Sequence, residues 1–164
     1  MRILAIDYGK KRFGLAISDP LGFTAQGLPT LASQGRKSDL EKIAAVVREN
    51  EVEKIVVGLP RKMDGTLGPA AEEVLAFVEE LKKHLGPSDA EHPSLDPESR
   101  DEGQDAKRLP VITWDERLST KRAEREMISA DLSRSKRKRS RDKVAAQLIL
   151  QSFLDAAENS NNRR

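Results

Sequence analysis

The feature that most constrains this chain is an apolar run that stops on an acid. Ile3-Leu4-Ala5-Ile6 is uninterrupted, as expected of a strand covered on both faces, and it ends at Asp7. A turn containing Gly9 follows, and a second apolar stretch, Phe13 to Ile17, runs back. Asp7 therefore stands where a central strand leaves the core, rigidly held yet within reach of solvent. A carboxylate there needs an ion pair, a hydrogen-bonded turn or a metal. An Asx turn capping the hairpin and a ligand position both fit this stretch.

The rest of the chain alternates. Asp19-Pro20-Leu21-Gly22 is turn chemistry, and Phe23 to Leu31 reads as a short third strand at an edge. Ser38 and Glu41 have capping-box spacing, ahead of a helix faced by Leu40, Ile43, Ala44 and Val47 and ending near Asn50. Lys54 to Gly58 is another apolar strand, broken at Gly58-Leu59-Pro60. After the loop Arg61 to Gly68, Pro69 suits the first position of a helix buried through Ala71, Val74, Leu75, Val78 and Leu81 and closed by Gly86-Pro87. Val111 to Trp114 predicts a short strand, with Trp114 in the core, and Ser119 a cap for a helix from Thr120 to about Ala130. Asp142 is expected to open a last helix lined by Ala145, Ala146, Ile149, Leu150 and Phe153, with residues 159–164 fraying.

An antiparallel opening followed by alternating strand and helix requires right-handed crossovers and parallel neighbours. The expectation is an α/β fold, a mixed five-stranded sheet with helices on both faces, in one domain over residues 1–158. Its ligand site belongs beyond the carboxyl ends of the parallel strands.

Composition narrows the setting. A chain of 164 residues suits one domain with a real core. Cysteine is absent, which excludes disulfides and thiolate metal sites and suits a reducing interior. No charged-then-apolar leader opens the sequence, and no apolar run approaches the roughly 20 residues of a bilayer span. A cytoplasmic protein with no membrane partner is expected. The net charge of +2 hides two opposed blocks. Residues 86–108 carry Asp89, Glu91, Asp96, Glu98, Asp101, Glu102 and Asp105 with little apolar content, so a disordered insertion is expected there. Arg134, Lys136, Arg137, Lys138, Arg139, Arg141 and Lys143 form the basic block.

Three acids meet at the rim under this topology: Asp7, Glu116 just after the strand at Val111, and Asp142. Hard oxygen donors without Cys or a suitably placed His fit Mg²⁺ or Mn²⁺ rather than zinc. Two such ions about 3.5–4 Å apart would clamp the attacking water and the leaving oxygen of a phosphodiester. Each acid alone has a plainer reading, Asp142 as a helix cap and Glu116 as a surface partner of Arg117. The residues by themselves lead to a candidate metal site.

Basic groups flank it. Lys10, Lys11 and Arg12 follow Asp7, Arg61 and Lys62 follow a neighbouring strand end, and Lys136, Arg137, Lys138, Arg139 and Arg141 precede Asp142. Such runs are commonly solvated faces; beside a metal site they would instead gain from a polyanion by counterion release. Aromatic residues make up 4% of the chain, so base stacking is expected to be minor and backbone shape to dominate recognition.

Four segments carry a family resemblance: D-Y-G-K-K-R-F-G-L-A from Asp7, V-V-G-L-P-R-K-M-D-G-T from Val56, D-E-R-L-S-T from Asp115 and D-K-V-A-A-Q-L-I-L-Q-S-F-L-D from Asp142. In that order they resemble the motifs of the bacterial Holliday junction resolvase-like family, also described as pre-16S rRNA nucleases, over most of the chain outside 86–108. The resemblance implies a ribonuclease H-like fold and metal-dependent nuclease chemistry, with Asp7, Glu116 and Asp142 as catalytic acids. Two features depart from the family pattern: the length of 86–108, and Lys138-Arg139-Ser140-Arg141 before Asp142, where a glycine is usual.

The leading expectation is a metal-dependent endonuclease acting on structured nucleic acid in 5′-end processing of pre-16S rRNA, as a monomer or homodimer. A four-way DNA junction is the rival substrate; cutting it takes two active sites and hence a dimer. Two other classes compete. A nucleotide-clamping ATPase of the actin and sugar-kinase type also places an acid and a glycine turn after its first strand, but it needs a second domain. A non-catalytic RNA-binding factor of the ribosome or transcription machinery is the other.

Overall fold

The computed structural model describes residues 1–86, 109–117 and 134–161, with the backbone alone for 134–143 and for 160 and 161. The insertion beyond Gly86, the cap at Ser119 and the helix from Thr120 lie outside the described residues. Among the described residues, six strands and three helices follow in chain order: β1 (Arg2–Asp7), β2 (Arg12–Ser18), β3 (Ala25–Gly27), β4 (Leu31–Ala32), α1 (Arg36–Glu49), β5 (Val52–Leu59), α2 (Pro69–His84), β6 (Val111–Asp115) and α3 (Arg134–Asn161).

The strands form one mixed sheet in the order β3-β2-β1-β5-β6, with β4 also on β2. β1 pairs antiparallel with β2 (Ile6 opposite Leu15) and parallel with β5 (Ile6 beside Val57), and β5 pairs parallel with β6 (Gly58 beside Trp114). The antiparallel opening and parallel remainder match the sequence reading. The expected third strand is two short segments, because Pro29 between them has no N–H to give to the ladder.

Side chains alternate across β1, and the two faces bury different partners. Leu4 and Ile6 point with Leu15, Val57 and Leu59 into a cluster closed by Leu40, Ile43 and Val47 of α1 and by Val74, Phe77, Val78 and Leu81 of α2. Ile3 and Ala5 point with Ala16 and Val56 to the other face, covered by Ala146, Ile149, Leu150 and Leu154 of α3. Trp114 joins this second cluster, edge-on to Phe153 at 5.3 Å, and its indole N–H donates to Ser152 Oγ at 3.2 Å.

Two expected helix starts are corrected. Helix α1 begins at Arg36, so Ser38 lies inside it; the Asp39 carboxylate fastens the entry instead, accepting from Ser33 Oγ (2.6 Å) and the Gln34 N–H (2.9 Å). Helix α3 begins at Arg134, not Asp142. Arg and Lys are good helix formers, and neither glycine nor proline interrupts 134–141, so the basic run simply extends the helix. Among the described residues no helix is long and apolar enough to cross a membrane.

Candidate active site

The parallel strands β1, β5 and β6 end together, and the candidate acids sit at that rim. Asp7 is the last residue of β1, opposite Gly14 of β2. Continuing the register from Ile6 and Val57 sets Asp7 beside Gly58 of β5, one strand or about 4.8 Å away. By the alternation of both strands, Asp7 and Gly58 belong to the face covered by α3. The glycines on both neighbouring strands set no side chain of their own against the acid.

Glu116 leaves the end of β6, with its N–H on the Leu59 carbonyl at 3.3 Å. Its side chain folds back over Gly58: a Cβ there would overlap Glu116 Oε1 and stand 2.6 Å from Ile149 Cδ1. The missing side chain at Gly58 is thus the seat of the Glu116 carboxyl. Burial pushes the Glu116 carboxyl above its ordinary range, and the charge of Asp115 adds to the effect.

The neighbouring acid behaves oppositely. Asp115 holds Arg117 through Nε (3.0 and 3.1 Å) and Nη2 (2.6 Å) and takes the Arg117 N–H at 3.0 Å, while Arg61 Nε lies 3.9 Å away. The Arg117 hydrogen bond is the main reason its carboxyl stays below the usual aspartate range. Glu116 is therefore not the partner of Arg117. The chain turns at Glu116, and the Asp115 carboxylate takes the N–H two residues on, as in an Asx turn; an aspartate at the end of a strand was the available signal.

Asp142 lies in the ninth position of α3, one turn before Ala146 and two before Ile149. Ile149 reaches Gly58, whereas Phe153 lies under Lys54 Nζ at 5.7 Å, near the start of β5. The helix thus runs away from the rim, and position 142 falls about 10 Å beyond Ile149 on the rim side. The Asp142 side chain is outside the described residues. Among the described residues no group of three or more His, Asp or Glu side chains is gathered to hold a metal; two of the three expected acids are brought to one face of one rim.

Lys10 and Lys11 lie exposed in the turn after β1, with Arg12 exposed at the start of β2, and Arg61 and Lys62 lie exposed after β5, so both strand ends carry positive charge. Lys10 is tied to Glu73 of α2 at 2.9 Å, which raises its pKa. Lys136, Arg137, Lys138, Arg139 and Arg141 fall in the first turns of α3, with side chains outside the described residues.

Comparison with known proteins gives a consistent picture. The family model "RuvX: Holliday junction resolvase" matches residues 1–96 and 98–156. A Clostridium botulinum protein named "Putative pre-16S rRNA nuclease" is 46% identical over 156 residues, covering 95% of this chain and 98% of its own. Proteins of the same name from Desulforamulus reducens (156 residues; 95% and 98% covered) and Clostridioides difficile (159 residues; 97% and 97%) are 43% identical. Among solved structures, T. thermophilus RuvC in complex with Holliday junction substrate aligns with a TM-score of 0.55 at 14% identity, covering 97% of this chain and 96% of that one. That likeness concerns the fold, which is the expected ribonuclease H-like one. With a family match along nearly its whole length, the chain belongs to the RuvX Holliday junction resolvase family and is a nuclease, a hydrolase of phosphodiester bonds.

Proposed function

We propose that this protein is a divalent-metal-dependent endonuclease that cuts structured RNA in 5′-end processing of pre-16S rRNA. One observation carries the reading: the Glu116 carboxyl rests over Gly58 on the same face and rim as Asp7. The name shared by the relatives from three genera supports the RNA.

The donor set fits Mg²⁺ or Mn²⁺. It consists of oxygens, and Glu116 is buried enough that its ionised form is disfavoured unless positive charge stands beside it. Asp7, Glu116 and Asp142 would hold the metal, which when bound supplies Lewis-acid stabilisation and an activated water. The rest is the work of this chain. The rigid ends of β1 and β6 fix two carboxylates, and Asp115 fixes Arg117 beside them. Lys10, Lys11, Arg12, Arg61 and Lys62, with Lys136, Arg137, Lys138, Arg139 and Arg141, neutralise phosphates of the bound strand.

A four-way DNA junction is the second reading, favoured by the family's own description. It requires a dimer with two active sites. The test offers a precursor 16S transcript and a synthetic four-way junction to the full chain with Mg²⁺, with Mn²⁺, or in excess chelator. Cutting of the transcript in its 5′ leader with either ion, and none in chelator, is expected. Unchanged cutting in chelator overturns the metal mechanism, and a cut junction beside an intact transcript transfers the function to DNA.

A further inference from the structure

The loop after β5 is built more firmly than a connection requires. Arg61 bridges to Leu67 as in an antiparallel pair, and the Lys62 N–H donates to the Thr66 carbonyl at 3.0 Å. The three residues between, Met63-Asp64-Gly65, close the turn, with the Gly65 N–H on the Lys62 carbonyl at 2.8 Å. Gly65 has φ +86°, the left-handed residue that a three-residue hairpin loop calls for. Asp64 Oδ1 accepts from both the N–H (2.9 Å) and the hydroxyl (2.6 Å) of Thr66.

The loop is also fastened to the rim. Arg61 donates to the Gly65 carbonyl at 3.4 Å while its Nε faces Asp115, and a Cβ on Gly65 would lie 3.4 Å from Arg117 Nη1. The same Asp115 and Arg117 bracket Glu116 in the chain. What this scaffold presents is a large apolar side chain: Met63, at the first turn position, is 91% exposed, more than any other exposed large hydrophobic among the described residues, and Leu67 beside it is 44% exposed.

Single exposed apolar residues are ordinary on a protein surface. This one differs in three respects taken together. Its loop backbone is held by three turn hydrogen bonds and a fourth joins two of its side chains, its chain neighbours Arg61 and Lys62 are cationic, and its loop is tied to the residues on either side of a candidate catalytic acid. Phosphate contacts from Arg61 and Lys62 would bring the strand's bases to the tip. A thioether is polarisable and packs on aromatic edges and faces; apolar side chains also enter between base steps where stacking is already broken. The count of aromatic residues, which led to the expectation of minor stacking, takes no account of methionine.

We infer that the 61–67 loop is a preformed finger whose tip residue, Met63, packs on an unstacked nucleobase of the bound strand next to the acid rim. This rests on the nuclease reading above and adds a substrate feature: a bulge, loop or junction with an unpaired base is preferred to continuous duplex. The contact is sequence-tolerant, since every base has a π-face.

The test uses full-length protein carrying Asp7→Asn, to stop cleavage, and two RNA hairpins, one with a two-base bulge labelled with 2-aminopurine and one fully paired. Adding Met63→Ala should weaken binding to the bulged hairpin by about two- to tenfold and abolish the 2-aminopurine fluorescence change. Affinity for the paired hairpin and the melting temperature should stay as they were, and Met63→Phe should restore the bulge preference. Equal weakening on both hairpins, or none on either, overturns the finger. Wild-type protein that cuts the bulged hairpin with Mg²⁺ while Met63→Ala matches it in every respect overturns the finger and leaves the nuclease reading standing. Wild-type protein that neither binds nor cuts either hairpin overturns both.

Discussion

The side of the sheet facing α1 and α2 is filled by bulky groups, Leu4, Ile6, Leu15, Ile43, Phe77 and Leu81 among them. Tyr8, Phe13 and Phe77 add rings whose centroids lie 5.0–5.5 Å apart. The side facing α3 has smaller members, Ala5, Ala16 and Ala146, and at the rim it runs into Asp7, Gly58 and Glu116. Small residues let a helix approach closely and leave space for carboxyl groups where the strands end. Among the described residues one face therefore carries most of the apolar burial, and the other carries the candidate chemistry. The two tasks are separable because alternate residues of a strand belong to different faces.

The sharpest attempt to break that division is at the acids. Asp7→Asn, Glu116→Gln and Asp142→Asn should each reduce cleavage by at least about 10³-fold while melting changes little. Retained cleavage in Asp7→Asn would remove the α3 face from the chemistry. The converse variant is Phe77→Ala, which should cost about 3–5 kcal/mol of stability by leaving a cavity in the other face. Measured below its melting temperature and per folded molecule, its turnover should stay near that of the parent. A turnover loss matching the acid variants would show that the faces do not act separately.

Gly58→Ala joins both consequences at one atom. The added methyl meets Glu116 Oε1 and Ile149 Cδ1, so a destabilisation of about 1–3 kcal/mol is expected together with a loss of activity that Gly→Ala changes in exposed loops do not cause. Denaturant titration and a cleavage assay on one preparation check the pairing of effects.

Replacing Lys136, Arg137, Lys138 and Arg139 with Ser tests whether the start of α3 serves the rim. Binding should weaken for all sequences alike, and the log–log salt slope should flatten by up to about 0.7–0.9 for each phosphate no longer neutralised, with the cut position unmoved. An unchanged slope would reduce the run to a solvated helix face.

The smallest effect is a pH dependence confined to the α3 face. The Glu116 pKa is raised in the folded state, so its ionisation opposes folding; this penalty is absent below the ordinary glutamate value of 4.5 and grows as pH rises through the folded value. With chelator present, Glu116→Gln should melt level with the parent near pH 4 and above it near pH 7. The deficit of Phe77→Ala should not vary in this way. A flat difference for Glu116→Gln would mean that the carboxyl is solvated.

Period and punctuation made much of the fold legible. The unbroken runs at Ile3–Ile6 and Ile55–Val57 announced strands covered on both sides, and Pro69 announced the first residue of α2. An antiparallel opening followed by alternation could close only as a mixed sheet. The misses have local causes. Asp39 captured the start of α1 from Ser38, and a run without glycine or proline carried α3 eight residues upstream of Asp142, choices that composition at one position does not reveal.

For the site, the residue pattern alone specified the kinds of groups at the strand ends: hard acids at Asp7 and Glu116, with basic neighbours, because each strand pattern stops where its charged residue begins. Tertiary structure decided how those groups are used. Gly58 could be read only as a strand breaker without the Glu116 carboxyl lying across it, and Asp115 and Glu116, adjacent acids, separated into an ion-paired and a partly buried carboxyl. The reason is physical: strand pairing and helix packing set which side chain receives an arginine and which loses its water, and both depend on residues distant in the chain.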